Sequence, residues 1–459
     1  MTAMSCSLSA SDRTEQVAVM PIIPVLLVAL VGIFAVSLPN IVDPMTGHDD
    51  FPALLAQPDR FWKKTLHEGR WISYLWHLRG VVTPAWLNFA VYQIIWALLA
   101  AALAVAVMGP TTKASDSRWL ACLLALLIVV APPAMIISLW YNTLVLGLAI
   151  VALYAVLGCW MSQRWHRALL APFTIITLMS YTTYPLILLA VCLARTEHRS
   201  FRDLMSLLAL FVLSFAAAVL VVYTLNWQVH GVFGIPLADW REAHPATGLT
   251  GLAANAPMIG QTIQALIRLI SYHMAPAVGF HLVVMLTATL YLIRRAPMEA
   301  LYLHAGLWLG MSLTWVQAVK LGYAVPPRSF AFAWIFYVAI VVRALALLSS
   351  AHRRQSFYAN AVIVMALAVC LYQTFCFYMI FRSWQSETRS LAQALEQSQG
   401  PVLLYGNMMT LDSAKLINIY HKDALSLRIE YLTGWQTIFC DDDPEYCTVV
   451  KAAAVTSNS

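Results

Sequence analysis

Gly47-His48-Asp49-Asp50 comes soon after the first long apolar run, Val17 to Leu38, and opens a polar, aromatic-rich loop. The loop continues through Phe61-Trp62-Lys63-Lys64 to Glu68-Gly69-Arg70-Trp71. Nearly everything beyond it is compatible with hydrocarbon. Two adjacent carboxylates at a membrane surface are costly unless they have partners or work to do. Asp49 and Asp50 are therefore the first candidates for chemistry.

Working outward, the chain is 61% hydrophobic and only 11% charged, which removes it from ordinary soluble domains and predicts a polytopic membrane protein. The net charge of +6 does not signal a nucleic-acid partner, because Lys and Arg fall mainly in short clusters between apolar runs. Met1 to Gln16 is polar with Arg13 as its one cation, and the following run lacks a small-residue cleavage site. It reads as a retained first helix.

A spanning helix needs about 20 apolar residues, and that rule gives about eleven crossings. They fall near 18–38, 84–108, 119–138, 143–161, 168–181, 184–194, 203–225, 277–293, 299–317, 329–349 and 358–381. Five short basic loops orient them: Lys113 with Arg118, Arg164 with Arg167, Arg195 with Arg199 and Arg202, Arg294 with Arg295, and Arg353 with Arg354. Placing all five in the cytoplasm requires 168–194 to go out and return. Tyr181-Thr182-Thr183-Tyr184-Pro185 permits that turn, since Pro185 disfavours continuous helix. The N-terminus is then cytoplasmic, while the loops 39–83, 226–276 and 318–328 and the tail from Arg382 lie outside.

The loop 39–83 goes against the positive-inside tendency with Arg60, Lys63, Lys64, Arg70 and Arg79, so its cations are expected to serve something anionic. Phe61, Trp62, Leu66, Trp71, Tyr74, Leu75 and Leu78 recur at helical spacing and predict one interfacial helix over 58–78. A second amphipathic stretch runs from Ile259 to Tyr272. Two domains follow: a membrane domain over 1–381 and a small α/β tail over 382–459. In the tail, helix is expected at Ser390–Gln397, a strand at Val402–Tyr405 and helix at Ser413–His421. The tail is small for an independent core and should lean on the membrane part.

Cys122, Cys159, Cys192, Cys370 and Cys376 lie inside apolar runs and read as small buried hydrophobes. Cys440 and Cys447 flank an acidic segment in the outside tail, where thiols are oxidised, and are expected to form a disulfide.

No phosphate-cradling P-loop, dinucleotide fingerprint or His/Cys metal spacing occurs, so ATP-driven and redox functions have no support. What remains is Asp49-Asp50 with nearby cations, and Pro326-Pro327-Arg328-Ser329 at the outer mouth of a late helix. With Gly69-Arg70 and the turn Tyr181-Thr182-Thr183-Tyr184, this arrangement resembles the GT-C superfamily of integral-membrane glycosyltransferases. More narrowly, it is similar to the bacterial glucosyl transferase II family. The resemblance covers roughly Ile33 to Ser349 and implies a GT-C-like all-α bundle in the bacterial inner membrane. It further implies a polyprenyl-phosphate hexose donor, glucose first, and a lipopolysaccharide O-antigen or other envelope glycan as acceptor on the periplasmic face.

The physical reading of the residues is consistent with that chemistry. Glycosyl transfer from a lipid phosphate needs a carboxylate to take the acceptor proton and cations to stabilise the departing phosphate. Asp50, slightly ahead of Asp49, is the expected base. Arg328, Arg70 and Lys320 are the expected clamp, and Glu68, Tyr181 and Tyr184 complete the candidate substrate-binding set. The adjacent Asp pair admits a second use, holding a divalent cation such as Mg or Mn. It could also cap the interfacial helix or solvate a loop, and Arg328 could simply anchor a helix end. A flippase of lipid-linked sugars and a non-catalytic envelope assembly protein are the rival functions. Transport would put ionisable residues near the bilayer midplane, whereas the strongest polar features here sit in loops.

Overall fold

The computed structural model describes residues 22–109, 114–238, 241, 243–351, 353–395, 401–417, 419, 421–441, 444–445 and 447–448. Arg13 and Lys113 lie outside the described residues. The described chain is dominated by helix, as its long apolar runs require: in hydrocarbon, a helix satisfies every backbone polar group within the segment.

Helix α1 (Ile22–Ile41) leads into the loop, where α2 (Phe51–Leu54), α3 (Pro58–Glu68) and α4 (Trp71–His77) form short pieces. The central helices are α5 (Ala85–Met108), α6 (Ala114–Val129), α7 (Pro132–Ile137), α8 (Tyr141–Trp160), α9 (Gln163–Leu178) and α10 (Tyr184–Arg195). Then follow α11 (Phe201–His230), α12 (Gly248–Asn255), α13 (Pro257–Ile270), α14 (Ala277–Arg295) and α15 (Pro297–Leu321). Helix α16 (Ala331–Ala351), α17 (Arg353–Leu395), α18 (Asp412–Ile417) and α19 (Lys422–Thr433) complete the set.

Ten of the eleven expected crossings each coincide with one helix where they are described, whereas 119–138 is split between α6 and α7 by a break at Val130-Ala131. Among the described residues, seven segments are long and apolar enough to cross a membrane: Ile22–Ile41, Ala85–Met108, Pro132–Trp160, Phe201–His230, Ala277–Arg295, Pro327–Ser350 and Phe357–Leu395. Helices α6, α9 and α10 are shorter than a bilayer core requires, at 16, 16 and 12 residues. Helix α15 is long enough at 25 residues, but His304, Ser312, Thr314 and Gln317 dilute its apolarity. The core is centred on α5, with Phe89, Tyr92, Trp96 and the small residues Ala100, Ala101, Ala102 and Ala104 buried against its neighbours. Close approach of α8 to the α9–α10 turn depends on Gly147, where a Cβ would stand 2.1 Å from Ser180 Oγ.

Two expectations need correction. The single interfacial helix over 58–78 is two helices, because Gly69 takes a left-handed φ of 67° and caps α3. In the tail, the expected strand is present as β1 (Val402–Leu404), but it pairs in parallel with β2 (Thr437–Phe439), and α19 lies between them. The pattern missed both α19 and β2. Helix α17 runs unbroken past Phe381 to Leu395, and α18 and α19 pack on it. Cys440 and Cys447 are joined in a disulfide.

The candidate functional site

The Gly69 turn also positions the site. It reverses the chain so that Glu68, last in α3, and Arg70, just before α4, both line one cavity. A side chain at 69 would be strained by its φ and would meet Val222 Cγ1 at 2.7 Å. The corner is tied to α11 by buried Asn226, which accepts from Trp71 Nε1 at 3.0 Å and donates to the Leu66 carbonyl at 3.1 Å. It is tied to the α9–α10 turn by Ile72 N–H donating to Met179 O at 3.0 Å.

The cavity has a volume of about 330 Å³. Its polar side carries Glu68, Arg70, Arg241, Lys320 and Arg328, with Tyr181, Gln317 and Ser329 beside them. Its apolar side is built by Phe215, Val219 and Val222 of α11 and Leu313 and Val316 of α15. Glu68 is gripped by Arg70 at 2.5 Å, Arg241 at 2.8 Å and Lys64 at 3.0 Å. Burial alone would raise the Glu68 carboxyl, but Arg70, Lys64 and Arg241 together hold it below the usual carboxylate range. Arg328 lies over the Trp140 ring at 4.1 Å. Among the described residues no carboxylate pairs with Arg328 or Lys320, so the cavity has an excess of positive charge. One Nη of Arg70 is buried without a hydrogen-bond partner among the described residues.

The two aspartates have different surroundings. Asp49 adjoins the cavity wall: Lys64 Nζ is 2.9 Å away, His48 3.2 Å and Arg70 3.9 Å. Burial acts to raise its carboxyl, but the electrostatic pull of His48, Lys64 and Arg70 outweighs it and keeps Asp49 far below the ordinary range. Neither aspartate lines the cavity, and Asp50 is fully enclosed. Its carboxylate accepts the backbone N–H of Asn142 at 2.7 Å and of Thr143 at 2.8 Å, capping the start of α8. Burial pushes Asp50 up to about 7, against the lowering pull of Thr143 and those N–H donors. Asp50 thus caps a helix, but α8 and not the interfacial helix weighed above, while Asp49 is the aspartate beside the cavity-lining Arg70.

Gly47 sits so close to Trp140 that a Cβ would meet its Nε1 at 2.9 Å. One indole therefore supports the loop on one side and Arg328 on another. Of the six expected substrate-binding residues, Arg328, Arg70, Lys320, Glu68 and Tyr181 converge on the cavity. Tyr184 does not: it is enclosed, donates to the Leu144 carbonyl at 3.3 Å and packs edge-on against Tyr181. The sequence reading missed Arg241, which sits in a turn-rich loop with no motif around it and whose partner Glu68 is far away in the chain. Its contacts to Tyr323, a 3.3 Å hydrogen bond and a ring 5.5 Å away, are equally non-local.

The Asp pair does not suit a divalent cation. The Asp49 oxygens face Lys64, His48 and Arg70, and the Asp50 oxygens face backbone donors, so the two carboxylates do not converge on a shared point. Among the described residues no group of three or more His, Cys, Asp or Glu side chains is arranged to hold a metal. In comparisons with known proteins, no protein-family model matches the chain, and no curated protein shows significant sequence similarity to it.

Proposed function

We propose that the protein is a GT-C-like membrane glycosyltransferase. In this reading it moves a hexose, glucose first, from a polyprenyl-phosphate donor to an envelope glycan such as O-antigen, on the periplasmic face of a bacterial inner membrane. The observation that carries the reading is the cavity, where four cations stand against one carboxylate at the polar end and two apolar helices form the other wall. An amphiphile with an anionic head matches both halves.

The acceptor hydroxyl oxygen forms the new bond to the anomeric carbon as the bond from that carbon to the phosphate oxygen breaks. Its proton passes to the Asp49 carboxylate, and the electron pair leaves with the lipid phosphate. Arg328, Arg70, Arg241 and Lys320 stabilise that developing charge, the arginines through paired N–H donors. The cations around Asp49 make it a weak base at rest. Donor phosphate that draws Arg70 toward itself would release part of that restraint. Asp50 fixes the loop to α8 and acts through Asp49.

The test is transfer by purified protein in lipid discs, with synthetic polyprenyl-phosphate glucose and a lipopolysaccharide acceptor. Sugar appearing on the acceptor, abolished by Asp49→Asn, supports the reading. Donor that crosses the bilayer unchanged while no transfer occurs would replace it with transport.

A further inference from the structure

A second concave surface, sharing no lining residue with the cavity, runs between the end of α1 and the emergent part of α17 and encloses about 650 Å³. Its lower wall is apolar and exposed: Leu38 and Val42 from the α1 side, Phe375 and Met379 from α17. Its upper wall carries Arg382, Ser386 and Arg389 on the same face of α17. In a helix, positions four before and three after Ser386 flank it on one face, so both guanidinium groups can reach the level of its hydroxyl.

Charge in the groove is unbalanced. Asp43 is the acidic lining residue, and Arg428 holds it at 2.6 Å while Arg389 reaches it at 2.7 Å. Arg382 has no ion-pair partner among the described residues. Among the described residues one carboxylate thus stands against three arginines and pairs with two of them. Depth identifies what would supply the missing negative charge. Ser386 is five residues past Phe381, where the apolar run ends, hence about 7.5 Å further along the helix at 1.5 Å per residue. Headgroups occupy about 5–7 Å on each side of the hydrocarbon.

We infer that this groove binds an acidic glycerophospholipid of the surrounding leaflet, with its phosphate between Arg382 and Arg389 at the level of Ser386. Its acyl chains lie along Met379, Phe375, Leu38 and Val42. A free anion would leave the apolar wall unused, and a neutral lipid would leave the charge excess unmet. The inference is independent of the glycosyltransferase reading, since it uses none of the cavity residues.

The full chain, reconstituted in discs holding equal phosphatidylglycerol and phosphatidylcholine, is released into detergent and its retained lipids are weighed by native mass spectrometry. Phosphatidylglycerol should be retained in preference. Arg382→Gln and Arg389→Gln should each lower that preference about fivefold, the usual weight of one arginine at an acidic lipid surface. Equal retention of the two lipids by the parent protein would overturn the inference without any variant. So would an unchanged preference in the Arg382→Gln/Arg389→Gln double variant.

Discussion

Helix α15 joins two charge clusters of opposite character. Glu299 is in its first turn and Lys320 in its last, about 32 Å apart at 1.5 Å per residue, close to the thickness of a bilayer core. At the Glu299 end, Arg343 donates to both carboxylate oxygens and to the Met108 carbonyl, while Arg199 approaches at 3.4 Å. Nearby, Arg167, Asp203 and Tyr302 close a similar set. Among the described residues each of these arginines reaches a carboxylate, and none of them lines either concave site described above. At the Lys320 end, Arg70, Arg241, Arg328 and Lys320 outnumber their carboxylates and border open space. A matched cluster acts as a strut, whereas unmatched charge beside a cavity is suited to a ligand.

The largest expected effect is on turnover at the unmatched end. Asp49→Asn should lower transfer on the order of 10²–10⁴-fold with the melting temperature little changed, as rates and thermal unfolding in lipid discs would reveal. A variant that melts early in proportion to its lost activity would make Asp49 a strut as well.

Glu299→Gln should do the reverse. Leaving Arg343 buried without its carboxylate costs about 3–5 kcal/mol, so the protein should unfold far more readily while the surviving folded fraction keeps parental turnover. Loss of turnover per folded molecule would merge the two ends functionally.

Removing the platform beneath Arg328 is a smaller perturbation. Trp140→Leu eliminates a cation–π contact of about 0.5–2 kcal/mol, and should raise the KM for donor with kcat less affected. An unaltered KM would detach Arg328 from donor binding.

The smallest effect concerns Asp50 and pH. Its native carboxyl keeps a proton up to about pH 7, whereas in the unfolded chain an aspartate loses it near about 4. The native state therefore binds more protons between these values, and this group's contribution to stability is lost as pH rises through about 7. Asp50→Asn lacks that decline, so its stability deficit relative to the parent should shrink between pH 5 and pH 8 in thermal unfolding. A deficit that stays constant over that range would mean that the N–H donors of Asn142 and Thr143 hold the carboxylate ionised.

The sequence by itself determined a helical membrane chain, the positions of its long apolar helices, the polar loop at Asp49 and the late-helix arginine. Those features are local: apolar run length, Pro and Gly punctuation and charge between runs need no knowledge of the partner segment. Five candidate binding residues were legible because they sit at helix ends or turns, where polar groups stand out against apolar sequence. Only the tertiary structure decided that Asp49 adjoins the cavity while Asp50 caps α8, that Gly69 breaks the interfacial helix, and that Arg241 closes on Glu68. Adjacent residues in a tight helical turn point in different directions, so the Asp-Asp pair is divided by what packs against each side. The partners that divide it, Lys64 and Arg70 on one side and the N-terminus of α8 on the other, come together only when separate helices pack.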